Sequence, residues 1–512
     1  MLEYLKNFIK KSIKALAPLI FIFLCSYLMY KGSGANINNK NIIIMTIFLV
    51  FLSSSRKSFF FIVIPFVLLF FIYAPIGLTF GEISYKYIAS VFSTDVVEAN
   101  EFISQIPIVN WFYAILIPIS LCIFRYLSKK YNINYLKNKT FIIISILVIT
   151  YNQSPFYFIK KVYSSTTDVV SELKKLNEYK VHNAWGKSTL NDKSKYNTYV
   201  LVIGESVRRD YMGIYGYPIN NTPFLSKVNG VVINGLESAG TNTVASLRLM
   251  LTQGNINKWT PEYNYNIIDL AKSAGYKTYW LSNQGYTGTY DTPVTAIAKQ
   301  SDNRYFLKLG AYNSSNTSDY ALLPEIKTTI SNKIKKKLIV IHLYGSHPSA
   351  CDRITDFDKI ITVKDKRYKY LSCYVNSIAK TDDFLSQVYS MLEDEYQKNK
   401  NDTFSMIYFS DHGLSHRLVD GQILFNNNKV SKYHLDVPLI KMSSDDYQHD
   451  EYNVSKSGAF FTDGLASWLG INNEKISNRY DLFSNESDKE ISHYRVKLDE
   501  YKNDPAINID NL

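Results

Sequence analysis

Cysteine is scarce in this sequence, with only four in 512 residues. Cys25 and Cys122 lie in apolar stretches, where a thiol usually behaves as a small hydrophobic side chain. Cys351 and Cys373 are the two in the polar part of the chain, which limits that part to one disulfide. If the polar part is exported to an oxidising compartment, we expect this pair to be bonded and to brace a loop.

A cleavage site for a signal peptide is also missing. No clear small-x-small site closes the first apolar stretch, residues 16–30, and four more apolar stretches follow at 41–54, 58–80, 111–127 and 140–151. Some are shorter than the roughly 20 residues that cross a bilayer comfortably, so their ends must include flanking Tyr, Ser and Asn residues. We therefore predict an N-terminal membrane domain, residues 1–152, with about five transmembrane helices.

The short loops between these stretches differ in charge. The loop between the third and fourth is net acidic, with Glu82, Asp95, Glu98 and Glu101 against Lys86. The other flanks are basic: Lys6, Lys10, Lys11 and Lys14 precede the first stretch, Arg56 and Lys57 the third, and Arg125, Lys129, Lys130, Lys137 and Lys139 the fifth. Because basic loops stay in the cytoplasm, we predict a multi-pass protein of the bacterial inner membrane with everything after residue 152 in the periplasm.

The polar part of the chain has no internal repeat and reads as a linker followed by one large domain. Residues 153–196 contain a helical pattern, "VVSELKKLNEY", and are interpreted as a linker and connecting helix. In residues 197–512, apolar runs at 199–203, 277–281, 338–343 and 404–409 alternate with helical patterns. Such alternation predicts an α/β domain with a mainly parallel central sheet.

Polar side chains follow each predicted strand. Glu205 follows the first, Asn283 the second, His342 and His347 the third, and Asp411 and His412 the fourth. Ligands bind at the carboxyl ends of strands in such sheets, and carboxylate plus imidazole ligands suit zinc. A cation would explain why Glu205 ends a buried strand. The alternative is that Glu205 caps a helix or pairs with Arg208 or Arg209.

The stretch "SAGTNTVASLRLML" offers a nucleophile. Thr243 comes immediately before a helical pattern, so its hydroxyl would lie at a helix N-terminus, where backbone N–H groups favour a phosphate. A metal beside it would lower the pKa of the hydroxyl. The alternative is that Thr243 is only an N-cap.

The ordered motifs "GESVRRD", "NTPF", "GTNTVASL", "SNQG", "HLYGSH" and "SDHG" resemble those of a known family. Behind about five membrane spans, they are similar to the motifs of bacterial phosphoethanolamine transferases of the alkaline phosphatase and sulfatase-like superfamily. "IGESVRRD", "HLYGSHPSACDR" and "YFSDHGL" most resemble the branch that modifies osmoregulated periplasmic glucans. The resemblance implies a sulfatase-like α/β fold for residues 197–512.

The resemblance also implies roles for individual residues. One zinc ion would be held by Glu205, Thr243, Asp411 and His412, a second being possible, and Thr243 would carry the phosphoethanolamine. The group itself would be held by Asn283 and His347, with His342 as a weaker partner and either His347 or His342 as the general acid. Glu98 would meet the ammonium of the donor lipid, the alternative being an exposed acidic helix face. The histidine that relatives carry after "SDHG" has no matched spacing here, which leaves His416 and His434 as candidates to bind substrate.

The expected function is transfer of phosphoethanolamine from phosphatidylethanolamine, through a covalent threonine intermediate, to a periplasmic glycan hydroxyl. Lipid A or lipopolysaccharide core sugars are the alternative acceptors, and lipid A is disfavoured because "SNQGYTGTYDT" lacks the lysine that lipid A enzymes carry there. Phosphoglycerol transfer is the alternative reaction, and a metal-free, membrane-anchored glycan-binding protein is the alternative of another class. We expect no nucleic-acid partner.

Overall fold

The computed structural model describes residues 2–93, 96–133, 135–178, 183–284, 292–308, 317–426, 430–477, 479–488, 501, 503–510 and 512. The chain divides into two compact units. The helical unit comprises Met1–Ile88 and Phe102–Val169, and the sheet unit comprises Ala89–Glu101 and Val170–Leu512. The segment 89–101, inside the acidic loop, therefore groups with the sheet unit. The boundaries expected at 152 and 196 stay a prediction.

All five apolar stretches fold as helices. The helices up to the sheet unit are α1 (Leu2–Gly32), α2 (Asn39–Ser53), α3 (Arg56–Ser58), which continues through a π-helical turn (Phe59–Val63) into α4 (Ile64–Phe80), α5 (Tyr85–Ser93), α6 (Val96–Ser104), α7 (Ile108–Lys130), α8 (Lys139–Tyr151) and α9 (Tyr157–Glu178).

Fewer than five stretches of the described helices are both long and apolar enough to cross a membrane. Arg56–Phe80 and Ile108–Lys130 are long and apolar enough, and Lys139–Tyr151 with Ser154–Lys174 passes only as one pair bent by 57°. Leu16–Gly32 and Asn39–Ser53 are apolar but shorter. By length and composition the described helices therefore supply two spans, or three with the bent pair, because the shorter helices fall below the roughly 20 residues of a span.

Small residues let the helices of this unit pack closely. A Cβ on Gly77 of α4 would lie 2.1 Å from the carbonyl oxygen of Gly32, and a Cβ on Gly32 would lie 2.7 Å from that of Ala74. Buried Cys25, Ile117 and other apolar side chains of α1, α2, α4 and α7 form its core. Close backbone approach at small residues is typical of helices that associate in a membrane.

The sheet unit is built on one large mixed sheet. The strands are β1 (Thr189–Leu190), β2 (Thr198–Gly204), β3 (Gly230–Glu237), β4 (Lys277–Ser282), β5 (Asn303–Phe306), β6 (Lys337–His342), β7 (Phe404–Ser410), β8 (Ser415–Val419), β9 (Gln422–Asn426), β10 (Asp436–Ser443), β11 (His449–Tyr452), β12 (Lys456–Ser457) and β13 (Ile471–Asn472). The order across the sheet is β11-β3-β10-β7-β2-β6-β4-β5, with β12 also beside β3.

The prediction of a mainly parallel sheet is confirmed. β7, β2, β6, β4 and β5 run parallel to one another, whereas β10 is antiparallel to β3 and β7. Every residue of β2 and β7 is buried, as expected for central strands covered on both faces. The strands β3 and β10 and the β8–β9 hairpin were not predicted, because polar residues, Gly or Pro interrupt their apolar runs.

Helices cover both faces of this sheet. They are α10 (Thr243–Met250), α11 (Ile267–Ser273), α12 (Pro293–Ala298), α13 (Leu323–Ile330), α14 (Ala350–Arg353), α15 (Lys369–Lys398) and α16 (Phe461–Leu469). Two apolar cores result, one on each side of the central strands, containing Leu201 and Val200 respectively. A disulfide between Cys351 and Cys373 joins α14 to α15, so the structure contains the bond expected from the sequence.

Candidate active site

The ends of β2 and β7 bring three ionisable side chains together. Gly204 is the register partner of Ser410, so the residues that follow, Glu205 on one strand and Asp411 with His412 on the other, lie side by side. One ligand atom from each of the three lies within 4.8 Å of the others. All three are at most 1% exposed. The carboxyl edge of the sheet therefore holds a compact, buried donor cluster.

Glu205 is surrounded by hydrogen-bond donors and not by arginines. Its Oε2 accepts from Thr243 Oγ1 at 2.9 Å and from Gln284 Nε2 at 2.7 Å, and its Oε1 accepts from the Ser206 hydroxyl. The neighbouring arginines have other partners: Arg208 pairs with Asp210 and Asp504, and Arg209 with Asp436. The alternative in which Arg208 or Arg209 neutralises Glu205 is thus not the arrangement in this structure.

The backbone after β2 is strained where it turns toward the site. Ser206 has φ 60° and is fully buried, and its N–H donates to Asp411 Oδ1 at 3.0 Å. The His412 N–H donates to the same oxygen at 2.7 Å. A left-handed non-glycine residue is held only where its surroundings determine it. Asp411 Oδ1 is thereby fixed by two backbone donors.

The second oxygen of Asp411 is available to bind a cation. Asp411 Oδ2 is buried and accepts no hydrogen bond from any described residue. His412 donates from Nδ1 to the Gly413 carbonyl at 2.7 Å, so its Nε2 faces the cluster, 3.4 Å from Glu205 Oε1 and 3.5 Å from Asp411 Oδ2. An orphaned carboxylate oxygen beside a second carboxylate and an oriented imidazole is a donor set that fits zinc.

Burial and mutual charge interactions shift the pKa of all three side chains in the cluster. Burial and the neighbouring Glu205 charge raise the pKa of Asp411. Burial alone would lower the pKa of His412, but the charges of Asp411 and Glu205 raise it. Burial alone would raise the pKa of Glu205, yet the hydrogen bond and charge of His412 hold it well below its usual range. These shifts arise because two buried carboxylates share one imidazole as their charged partner, and a divalent cation would compensate both carboxylates.

Thr243 is not the N-cap of its helix. Asn242 takes that role, accepting from the Ala245 N–H at 2.8 Å, and Thr243 is the first residue of α10. Its hydroxyl donates to Glu205 and lies 3.5 Å from His412 Nε2. The nearby Ser246 hydroxyl instead donates to the Asp411 carbonyl at 2.6 Å. The structure therefore brings Thr243 to the three ionisable residues and leaves its hydroxyl free of any capping duty.

Two polar residues beside the site were not singled out from the sequence. Gln284 donates from Nε2 both to Glu205 and, at 2.8 Å, to the Leu343 carbonyl. Asp319 accepts from Asn283 Nδ2 at 2.8 Å and from the backbone N–H groups of Tyr344 and Gly345. Gln284 adjoins the predicted Asn283 in "SNQG", which was the available signal. Asp319 follows a chain segment without any motif.

His342 and His347 lie in different environments. His342 is 3% exposed, and burial lowers its pKa to about 4. His347 is less buried, its ring stacks on Tyr344 with centroids 4.9 Å apart, and its Nδ1 lies 3.5 Å from Glu101 Oε2. His342 is therefore neutral at physiological pH, whereas His347 has a carboxylate to stabilise its protonated form.

The other candidate substrate residues have different outcomes. His416 Nε2 lies 2.6 Å from the Tyr211 hydroxyl and its Nδ1 lies 3.1 Å from Asp504, so both ring nitrogens are engaged in a buried network. His434 is fully buried; its Nδ1 accepts from the Ser431 N–H, and its carbonyl accepts from the Gly413 N–H beside His412. Glu98 belongs to α6, and its side chain lies outside the described part of the chain.

Comparisons with known proteins show which family this chain resembles. The sulfatase family model matches residues 197–471. A Haemophilus influenzae protein provisionally named as a phosphoethanolamine transferase is 47% identical over 430 residues, covering 82% of this chain and 88% of that protein. Phosphoethanolamine transferase OpgE of Escherichia coli K12 is 36% identical over 335 residues, covering 64% of this chain and 61% of OpgE.

Two solved structures share the fold. The integral membrane protein EptA, a lipooligosaccharide phosphoethanolamine transferase of Neisseria meningitidis, gives a TM-score of 0.56 at 16% identity and covers 91% of this chain and 97% of its own. The periplasmic domain of Escherichia coli EptC, in a complex with Zn, gives a TM-score of 0.50 at 22% identity and covers 59% of this chain and 89% of its own. The first likeness extends over both the apolar helices and the sheet.

Proposed function

This chain belongs to the phosphoethanolamine transferases of the sulfatase family, and we propose that it moves phosphoethanolamine from phosphatidylethanolamine to a periplasmic glycan hydroxyl through a covalent adduct on Thr243. The observation that carries the proposal is the position of the Thr243 hydroxyl, 2.9 Å from Glu205 Oε2 and 3.5 Å from His412 Nε2. The motifs that resemble the glucan-modifying branch favour an osmoregulated periplasmic glucan as the acceptor, with lipopolysaccharide sugars as the alternative.

The residues that would hold one zinc ion are Glu205, Thr243, Asp411 and His412. The orphaned Asp411 Oδ2 and the oriented His412 Nε2 support this assignment, and the related EptC domain was solved with zinc. When bound, zinc supplies charge stabilisation for the phosphoryl oxygens and lowers the pKa of the Thr243 hydroxyl. Both effects require a buried site, which the low exposure of these side chains provides.

In the first step, the Thr243 hydroxyl gives its proton to Glu205 Oε2, to which it already donates at 2.9 Å. Its Oγ1 bonds to the phosphorus of phosphatidylethanolamine, and the bond from phosphorus to the diacylglycerol oxygen breaks. That leaving oxygen needs a proton, and His347 is the better donor, because burial keeps His342 neutral and Glu101 stabilises the protonated His347 ring. The first turn of α10 presents backbone N–H groups close to Thr243, which favours the negatively charged phosphoryl group there.

In the second step, a sugar hydroxyl attacks the same phosphorus, the bond from phosphorus to Thr243 Oγ1 breaks, and Oγ1 regains its proton from Glu205. His347, having given up its proton, can accept one from the incoming hydroxyl. The donor is a membrane lipid, and a glucan acceptor comes from solution. Both are accessible to a sheet unit that lies in the periplasm and belongs to a protein anchored in the inner membrane. The disulfide between Cys351 and Cys373 supports that oxidising location.

The test is to trap the adduct. Detergent-solubilised full-length protein is incubated with phosphatidylethanolamine and no acceptor, and the mass increase is localised by fragmentation. We expect phosphoethanolamine on Thr243, retention of the adduct in Thr243→Ser, and its loss in the isosteric Thr243→Val. Thr260→Val, at an exposed position, is the control. Transfer activity that persists in Thr243→Val would contradict the mechanism, and an adduct with the mass of phosphoglycerol would contradict the donor.

A further inference from the structure

The acidic helix α6 delivers a buried carboxylate to the loop that carries His347. Glu101 is only 9% exposed, although it comes from the segment between the third and fourth apolar stretches. One of its carboxylate oxygens pairs with the Arg353 guanidinium, and the other lies 3.5 Å from His347 Nδ1. Burying a carboxylate is costly unless charged partners compensate it. Glu101 therefore bridges two residues of the catalytic region.

Arg353 and Tyr344 complete this arrangement. The Arg353 guanidinium lies 4.1 Å from the centre of the Tyr344 ring, and that ring stacks on His347 with an interplanar angle of 20°. Glu101, Arg353, Tyr344 and His347, which we name the His347 cluster, thus form a closed loop of contacts. The ring of His347 stacks on Tyr344, and its Nδ1 lies 3.3 Å from the Pro348 carbonyl and 3.5 Å from Glu101 Oε2.

A disulfide and a hydrogen bond hold the backbone segment that carries Arg353. Arg353 ends α14, which the disulfide of Cys351 ties to α15. The Tyr370 hydroxyl of α15 accepts from the Ser349 N–H at 2.6 Å, just before α14. A histidine whose stacking partner and carboxylate partner are both fixed has a defined ring orientation, which is what an acid–base residue needs.

We propose that Glu101 is a positioning residue for His347: beside the Pro348 carbonyl it favours a proton on Nδ1, its charge stabilises the protonated ring, and Nε2 is left to exchange the proton with the reacting oxygen. This inference rests on the proposed function, in which His347 is the acid. The Pro348 carbonyl favours the same tautomer, but only the Glu101 carboxylate adds a negative charge that raises the affinity of the ring for its second proton. The reaction in the sheet unit then depends on a residue supplied from the loop between two apolar helices.

Other charged groups adjoin the His347 cluster. Lys380 donates to the Arg353 carbonyl and pairs with Asp356, and Asp319 accepts from the Tyr344 N–H. The Lys308 ammonium lies 3.8 Å from the centre of the Tyr344 ring, and Glu205 of the metal site interacts electrostatically with His347. Arg353 offsets part of the Glu101 charge. Of these groups, Glu101 is the acid that approaches Nδ1 of His347, so changing its charge is the most direct perturbation.

The first experiment measures adduct formation against pH in full-length protein. Glu101→Gln keeps the size of the side chain and removes its charge, and we expect a rate about 10- to 100-fold lower, with the alkaline limb of the profile moved down by about one pH unit. Glu101→Asp should recover part of the rate and restore the limb. Glu82→Gln removes the charge of another acid, which pairs with Lys161 in the helical unit, and should change neither the rate nor the alkaline limb.

A double-mutant cycle tests whether Glu101 acts through His347. In a His347→Gln background, Glu101→Gln should cause no further loss. A merely structural role would instead give a loss of the same factor in both backgrounds, together with a lower melting temperature, and would overturn the inference.

A readout that needs no activity separates this inference from the proposed function. The protein has eight histidines, and ring-labelled histidine resonances can be followed by NMR, with His347 identified by its absence in His347→Gln. The pKa of His347 should fall by about one unit in Glu101→Gln and stay constant in Glu82→Gln. An unchanged titration would overturn the role of Glu101 even if the wild type forms the adduct. A wild type that forms no adduct would instead contradict the proposed function.

Discussion

Gln284 provides the sharpest test of how the site holds its metal ligands. Its amide donates to Glu205 Oε2 at 2.7 Å and to the Leu343 carbonyl at 2.8 Å, so it links a proposed zinc ligand to the end of β6. We predict that Gln284→Leu, which replaces the amide by an apolar side chain of similar size, weakens zinc binding without removing any ligand.

The expected size follows from that one hydrogen bond. A hydrogen bond to a charged group contributes about 1.5 to 3 kcal/mol. At about 1.4 kcal/mol for each factor of ten, losing this contact should weaken zinc affinity by roughly 10- to 150-fold. The Thr243 hydroxyl and the Ser206 hydroxyl still contact Glu205, so the carboxylate should stay in place but be less well oriented.

Zinc affinity is measured on purified full-length protein by competition with a chelator of known affinity, and folding is checked by thermal unfolding. Gln300→Leu is the matched control, because its amide donates only to the Ala296 carbonyl at 3.1 Å among the described contacts. Equal zinc affinity in Gln284→Leu and wild type would refute the reasoning. A lower melting temperature with unchanged affinity would show that the contact to Leu343 alone matters.

Three further outcomes are expected. Zinc binding should release protons and weaken as the pH falls below about 9. The neighbouring charges of Asp411 and Glu205 raise the pKa of His412 to about 9 in the metal-free protein, and the ring must lose that proton to bind zinc. Calorimetry in two buffers of different ionisation enthalpy measures the proton release, and a binding enthalpy that does not depend on the buffer would contradict it. Asp504→Asn should lower the free energy of unfolding in urea by about 2 kcal/mol, since Arg208 and His416 both contact that carboxylate. Asp510→Asn, at an exposed position, is the control. Burial acts to raise the pKa of Asp504, but the hydrogen bond and charge of His416 hold it well below its usual range, so its contribution is present above about pH 4 and is lost on acidification. Non-reducing peptide mapping of fresh membranes should recover the two cysteines of the disulfide as one linked species, whereas two free thiols would count against export.

The central site was largely predictable because it depends on local rules. Strands β2 and β7 are continuous apolar runs, and parallel strands present their carboxyl ends at one edge, so the residues after them had to be neighbours. Glu205, Asp411 and His412 followed from that alone. The identity of the zinc ligand set and of the nucleophile required the resemblance to a known family in addition.

Other assignments depended on contacts between distant parts of the chain. The sequence pattern left Thr243 open as a helix cap, and only the structure shows Asn242 in that role. Either His342 or His347 was expected as the general acid, and the burial of His342 separates the two. His416 had no visible partner in sequence, yet Tyr211 and Asp504 engage both of its nitrogens.

The amino-acid sequence by itself determined the apolar helices, the central parallel strands and the polar residues at their ends, because periodicity and strand direction are local properties of the chain. Only the tertiary structure decided which oxygen of Asp411 lacks a partner, that Gln284 contacts Glu205, and that Glu101 reaches His347 across more than 240 residues of sequence. Desolvation, charge pairing and ring orientation depend on neighbours in space, and those neighbours come from separate segments that no pattern of spacing connects.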